Sequence, residues 1–242
     1  MIPKEERAWE LYEVIRDCRL CRLWETRTRA VPGEGPLDAE VMFIGEAPGV
    51  NEDRQGRPFV GAAGQFLDGL LGEAGLRREE VYICNVLKCR PPGNRDPLPG
   101  EIAACAEYLD LQIDLVDPLV IVTLGRFSMA RWFPQQSISR IHGQPREVDG
   151  RLIVPMFHPA AALRQANLKE VMVEDFRMLG ALIRRVRAGE PEVASDVVAG
   201  GGFSRERGTM ARREEAEAVL RGLAPEGAPA APAGPQQIPL FE

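Results

Sequence analysis

Five cysteines in a chain of 242 residues fall in a pattern that suits metal chemistry. Cys18 and Cys21 form a Cys-x-x-Cys pair among arginines. Cys89 lies in a Pro/Gly-rich segment, and Cys105 follows one helix-length later. Thiolates spaced in this way bind zinc or an iron–sulfur cluster. Zinc ribbons use two local pairs, so one local pair plus two distant single residues fits a [4Fe–4S] cluster better. The bland alternative is that Cys89 and Cys105 are ordinary half-buried thiols. Cys84 stands among apolar neighbours and reads as a small core hydrophobe.

Four further segments share a position. Each follows a short, apolar, β-branched-rich run: Glu40–Ile44, Val81–Val86, Leu119–Leu124 and Leu152–Phe157. Runs of this kind, separated by helix-length stretches, read as buried parallel strands. Gly45-Glu46-Ala47-Pro48-Gly49 follows the first. Asn85 and then Cys89-Arg90-Pro91-Pro92-Gly93-Asn94 close the second, Gly125-Arg126 the third and His158-Pro159-Ala160-Ala161 the fourth. Ligands of open parallel sheets bind outside the carboxyl ends of the strands, so these segments describe one site.

The elements that must hold it are legible from periodicity. Residues 5–17 and Ala62–Ala74 read as amphipathic helices, the second stopped by Gly75. Pro99–Val116 reads as a longer helix opened by proline. Gly125–Phe133 reads as a short helix and Lys169–Arg187 as a long closing one. From about Ala188 the composition shifts to a Gly200-Gly201-Gly202 linker and an Ala/Pro/Gly-rich stretch. The expectation is a domain over 1–189 and a flexible low-complexity tail over 190–242, with one isolated helix at Thr209–Leu223.

The net charge of −6 is uneven: residues 188–242 hold nine acidic and five basic side chains. Arg16, Arg19, Arg22, Arg27 and Arg29 outnumber Asp17 and Glu25 in one short stretch, a patch suited to phosphates. No run is long and apolar enough for a membrane span, and the N-terminus has no apolar signal core. A cytoplasmic, nucleoid-associated monomer is the expectation.

Several motifs occur together and in order: the N-terminal Cys-x-x-Cys, Gly45-Glu46-Ala47-Pro48-Gly49-Val50-Asn51-Glu52-Asp53, Pro58-Phe59-Val60-Gly61, Asn85-Val86-Leu87-Lys88-Cys89-Arg90-Pro91-Pro92, Cys105 and Phe157-His158-Pro159-Ala160. Over about residues 5–187 the chain resembles the family 4 uracil-DNA glycosylases, which carry a [4Fe–4S] cluster. The resemblance implies an α/β fold: a three-layer α/β/α sandwich around a four-stranded parallel sheet. It also implies hydrolysis of the N-glycosidic bond of uracil in DNA after base flipping, leaving an abasic site for base excision repair.

Each residue can be asked for its part. Phe59 suits a stacking platform, with packing beneath the first loop as its alternative. The Asn85 amide matches uracil O4 and N3–H. His158 suits the donor to O2 as negative charge develops on the leaving base. The resemblance gives catalytic weight to Glu46, and Ala47 stands where many superfamily members have a water-orienting Asp. Glu52 shapes the pocket near uracil C5 or caps the following helix. Gly45, Ala47, Pro48 and Gly49 line the base, and Asn94 places water or holds a phosphate. Leu163 reads as a wedge into the DNA and Arg164 as a phosphate contact, unless Leu163 belongs to the core. His142, in Arg140-Ile141-His142, reads as an ordinary surface-loop histidine.

A non-catalytic iron–sulfur nucleic-acid-binding module is the rival reading, and a glycosylase acting on other deaminated bases a further one. Glu46, Asn85 and His158 together favour the uracil enzyme. In the tail, Gln237-Ile238-Pro239-Leu240-Phe241 resembles the peptide by which bacterial repair proteins grip the sliding clamp. There Gln237 would hydrogen-bond, and Leu240 and Phe241 would fill an apolar pocket.

Overall fold

The computed structural model describes residues 3–189. The tail, its expected helix and its terminal peptide lie outside the described residues. Helix α1 (Lys4–Asp17) turns Ala8, Leu11, Val14 and Ile15 inward at helical spacing. Strand β1 (Val41–Gly45) is followed by α2 (Val50–Gln55), α3 (Ala62–Glu73), β2 (Tyr82–Asn85), α4 (Pro99–Val116) and β3 (Val120–Leu124). Then come α5 (Arg126–Met129), α6 (Ile138–Ile141), β4 (Arg146–Val148), β5 (Arg151–Met156), α7 (Pro159–Arg164) and α8 (Leu168–Arg187).

The four apolar runs are the four parallel strands, in the order β2-β1-β3-β5. Their side chains alternate between two helical layers, as a pleat of period two requires. Val41, Phe43, Val122, Leu124, Val154 and Met156 pack with α3 and α8. Met42, Ile44, Tyr82, Cys84, Ile121 and Ile153 pack with α1 and α4. The three-layer expectation holds.

The strand count needs correcting. A fifth strand, β4, pairs antiparallel with β5 at the sheet edge. The turn between them is Asp149-Gly150, both with positive φ (52° and 75°), the two-residue connection that closes a hairpin. Its sequence, Arg146-Glu147-Val148, is polar because this short edge strand is not buried, so it lacked the apolar signature of the others. The expected helix Gly125–Phe133 is also shorter. Only α5 is helical, and the chain turns ahead of Pro134.

The chain leaves β1 toward β2 on one side and enters β3 on the other side of β1. The carboxyl ends of β1 and β3 therefore flank a topological switch point, where open α/β sheets take their ligands.

Candidate active site

Register brings the first two motifs together, because Gly45 is the partner of Asn85 across β1 and β2. A Cβ on Gly45 would stand 2.3 Å from Asn85 Oδ1 and 2.6 Å from Phe59 Cζ. Only glycine admits both neighbours at that distance. Asn85 Oδ1 is buried and has no hydrogen-bond partner. A buried carbonyl oxygen without a donor is costly, about 1–3 kcal/mol, and such groups mark places where something else is meant to bind.

Phe59 is 6% exposed and holds φ at 50°, a left-handed backbone that a bulky residue adopts only under constraint. The constraint comes from two charged side chains. Glu52 Oε1 accepts from the N–H of Val60 and of Gly61, each at 2.8 Å, and its Oε2 accepts from Gly49 N–H at 3.1 Å. Arg78 donates to the carbonyls of Pro58 (2.6 Å) and Phe59 (3.1 Å) and is itself held by Glu34 and Asp68. A Cβ at Gly64 would lie 1.8 Å from Phe59 O, so the first turn of α3 also depends on glycine here. Both Glu52 oxygens are thus spent on backbone amides, which favours its capping role over contact with a base. Glu34 and Arg78 were not singled out from the sequence, since nothing local marks their purpose.

The Phe59 ring stacks on that of His158, centroids 5.6 Å apart and planes at 28°. His158 caps α7: its Nδ1 accepts from Ala160 N–H at 3.1 Å. An accepting Nδ1 leaves the proton on Nε2, so the hydrogen bond itself assigns the tautomer. Burial, reinforced by the Arg164 guanidinium and opposed by Glu52, pulls the His158 pKa down from 6.5 to about 4. The imidazole is neutral at physiological pH.

Glu46 follows Gly45 at the strand end. Burial, followed by the charge of Asp96, raises its pKa, while Arg126 and Arg164 oppose the rise. Arg126 is paired with Asp96 across the mouth of the site. Pro48 is buried, whereas Ala47 and Gly49 are partly open. Asn94 (φ 54°) sits in the exposed loop beyond β2 and accepts from Arg90 Nε at 2.7 Å. Leu163 is 49% exposed on α7, beside exposed Arg164 and next to buried Ala162. The core alternative for Leu163 does not apply.

Sequence reasoning missed the polar network beneath the site. Lys88, fully buried, donates to Asn85 O (2.7 Å) and Gln112 Oε1 (2.5 Å). Gln112 donates onward to Pro32 O and to the Tyr82 hydroxyl, which meets that of Tyr12 at 2.8 Å. A lysine inside Val86-Leu87-Lys88-Cys89 and a glutamine on the inner face of α4 were the available signals. His142 lies half-buried in the turn after α6, and it is paired. Its Nδ1 lies 2.7 Å from buried Asp175, and its ring packs on Phe157 at 4.6 Å.

The cysteines of the spaced set gather at the end of α1, where Cys18 caps the helix and Cys21 opens a 3-10 turn. Arg27 Nη1 donates to Cys89 Sγ at 2.9 Å, and the Leu20 N–H to Cys18 Sγ at 3.5 Å. The thiols feel one another's charge: Cys89 with Cys18 and Cys21, and Cys105 with Cys89 and Cys21. Burial pushes Cys21 and Cys89 up, and Cys105 to about 12. Among the described residues, no group of three or more His, Cys, Asp or Glu side chains is arranged to hold a single metal ion. Cys84 is fully buried mid-strand. No described helix is long and apolar enough to cross a membrane.

A family model described as the uracil DNA glycosylase superfamily matches residues 32–178. The type-4 uracil-DNA glycosylase of Sulfurisphaera tokodaii is 49% identical over 183 residues, covering 72% of this chain and 83% of that protein. That of Thermotoga maritima is 43% identical over 190 residues, covering 76% and 99% respectively. A type-5 uracil-DNA glycosylase of Thermus thermophilus is 39% identical over 137 residues, half of this chain and 62% of that protein.

Proposed function

The chain belongs to the type-4 enzymes of the uracil DNA glycosylase superfamily and is a DNA-repair hydrolase that excises uracil, and we propose that Phe59, Asn85 and His158 hold the flipped base while Glu46 directs the water that displaces it. The observation that carries this reading is the unpartnered, buried Asn85 Oδ1 beside Gly45, the residue against which the Phe59 ring, itself stacked on His158, also packs. A uracil lying on Phe59 would offer its N3–H to that oxygen, and cytosine, with no hydrogen on N3, would leave it unpaired.

In the reaction the C1′–N1 bond breaks, uracil departs with the electron pair, and a water oxygen bonds to C1′. The base then carries negative charge shared between N1 and O2. A neutral His158 can meet it with Nε2–H, already oriented by the Nδ1 bond to Ala160. Glu46, with its raised pKa, is a stronger base toward the incoming water than a solvated carboxylate would be. Asn94, Leu163 and Arg164 at the rim suit the DNA strand: Asn94 for water or phosphate, Leu163 for the vacated stack and Arg164 for a phosphate.

Cys18, Cys21, Cys89 and Cys105 would hold a [4Fe–4S] cluster, one thiolate to each iron. Convergent thiols with N–H donors to sulfur are the donor set such a cluster takes. When bound it would cross-link α1, the β2 loop and α4, and the hydrolysis asks no electron of it. The terminal Gln237–Phe241 peptide supports a sliding-clamp contact by its sequence alone. The enzymatic reading is tested by incubating uracil-containing and thymine-matched oligonucleotides, then cleaving with alkali. Strand breaks confined to the uracil position are expected, and no breaks would overturn it.

A further inference from the structure

The segment after α1 carries a feature that base excision does not use. Trp24 is 39% exposed and Leu20 54%, both beside the Cys18–Cys21 turn. The Arg19 guanidinium lies 4.9 Å from the centroid of the Trp24 ring. Among the described residues, no carboxylate pairs with Arg19 or with Arg29. Arg22, 92% exposed, meets Glu25 only at 3.9 Å. A single exposed tryptophan means little, but one under a free guanidinium and flanked by further arginines is the arrangement that stacks bases and follows a phosphate chain.

This segment is also held rigidly against the site. Thr28 and Arg29 N–H both donate to Asp53, buried in α2, the helix that starts directly after its N-cap Gly49. Arg27 ties it to Cys89, four residues beyond Asn85, and to the Arg16 carbonyl. The platform is therefore fixed to both loops that flank the Gly45–Asn85 pair, on the edge of the sheet where a flipped nucleotide enters.

We propose that Trp24, Arg19, Leu20 and Arg22 form a second DNA contact, taking an unpaired nucleotide of the strand that flanks the uracil. The occupant is single-stranded DNA. Trp24 offers a π-face that a base in a duplex cannot reach, and the surrounding charge matches phosphate. Duplex DNA would touch only the arginines.

The test uses the full-length holoprotein and a single uracil placed centrally in a single-stranded pentamer, in a long single strand and in the matching duplex. For Trp24→Ala and Arg19→Gln we expect KM on the long single strand to rise about tenfold, with kcat unchanged. This is the signature of lost ground-state binding. The pentamer and the duplex should be unaffected in Trp24→Ala. Arg19→Gln should also flatten the salt dependence on the long strand by about one unit of slope. Trp24→Phe should restore most of the affinity. Equal losses on pentamer and long strand, a loss on duplex as large as on single strand, or no loss at all would each overturn the proposal. Arg19 is exposed, so Arg19→Gln tests the idea even if Trp24→Ala disturbs the fold. Visible absorbance and melting temperature report any such disturbance.

Discussion

Asn85 Oδ1 stands 2.3 Å from the place a Cβ on Gly45 would occupy, and the two residues are register partners across β1 and β2. A single methyl at position 45 must therefore push aside the amide proposed to read the base, and the Phe59 ring with it. Gly45→Ala should fold, with its strand pairing intact, yet lose uracil excision by two or more orders of magnitude. Asn85→Ala should lose about 10²–10³-fold in kcat by removing a preorganised partner of the base. Single-turnover release of uracil measures both, and near-native rates in either would remove the pair from the mechanism.

His158 gives a pH prediction of definite sign. Its folded pKa of about 4 lies below the ordinary 6.5, so it stays neutral across the range where most histidines charge. Excision should thus show no inflection near 6.5 from this residue and should fall as pH approaches about 4. Protonation there takes the Nδ1 lone pair that Ala160 N–H uses. Between those values the unfolded chain binds a proton that the folded one refuses, so stability declines as pH drops through this window. Imidazole NMR titration would check the value, and His158→Ala should cripple release without unfolding the protein.

Glu52 accepts three backbone N–H bonds with its two oxygens. Glu52→Gln replaces one acceptor by a donor and leaves at least one amide unmatched, a loss of about 1–3 kcal/mol. A lower melting temperature and a raised KM are expected together, because the loop that holds Phe59 at positive φ loosens. A variant with native stability and altered discrimination against thymine would instead restore Glu52 to a place beside C5.

Cys18, Cys21, Cys89 and Cys105 should each be required for the brown colour of a [4Fe–4S] protein, whereas Cys84→Ser should keep it. Absorbance in the visible and iron content decide the matter. A colourless Cys84 variant alongside a coloured Cys89 variant would reassign the ligands.

Deleting Gln237–Glu242 should abolish binding to the sliding clamp and leave excision from a short oligonucleotide unchanged. Equal clamp affinity in both proteins, measured by surface plasmon resonance, would end that proposal.

The four parallel strands, the main helices and the convergence of the strand ends were legible in residue order alone. Burial on both faces leaves an apolar run, and helix spacing leaves a period, both of which are local patterns. Asn85, Phe59 and His158 stood out because polar or aromatic residues at the ends of such runs need a reason. How they meet is a property of the folded chain. The positive φ of Phe59 depends on Glu52 and on Arg78, the latter nineteen or twenty residues away. The His158 tautomer depends on one backbone amide and on burial. Lys88 reaches Gln112 across 24 positions, and His142 reaches Asp175 across 33. Strand β4, short and only partly buried at the sheet edge, has no apolar signature, and its Asp-Gly turn is the one local mark it leaves. Hydrogen-bond partners and desolvation belong to the folded arrangement rather than to any stretch of chain, which is why these features could not be read from residue order.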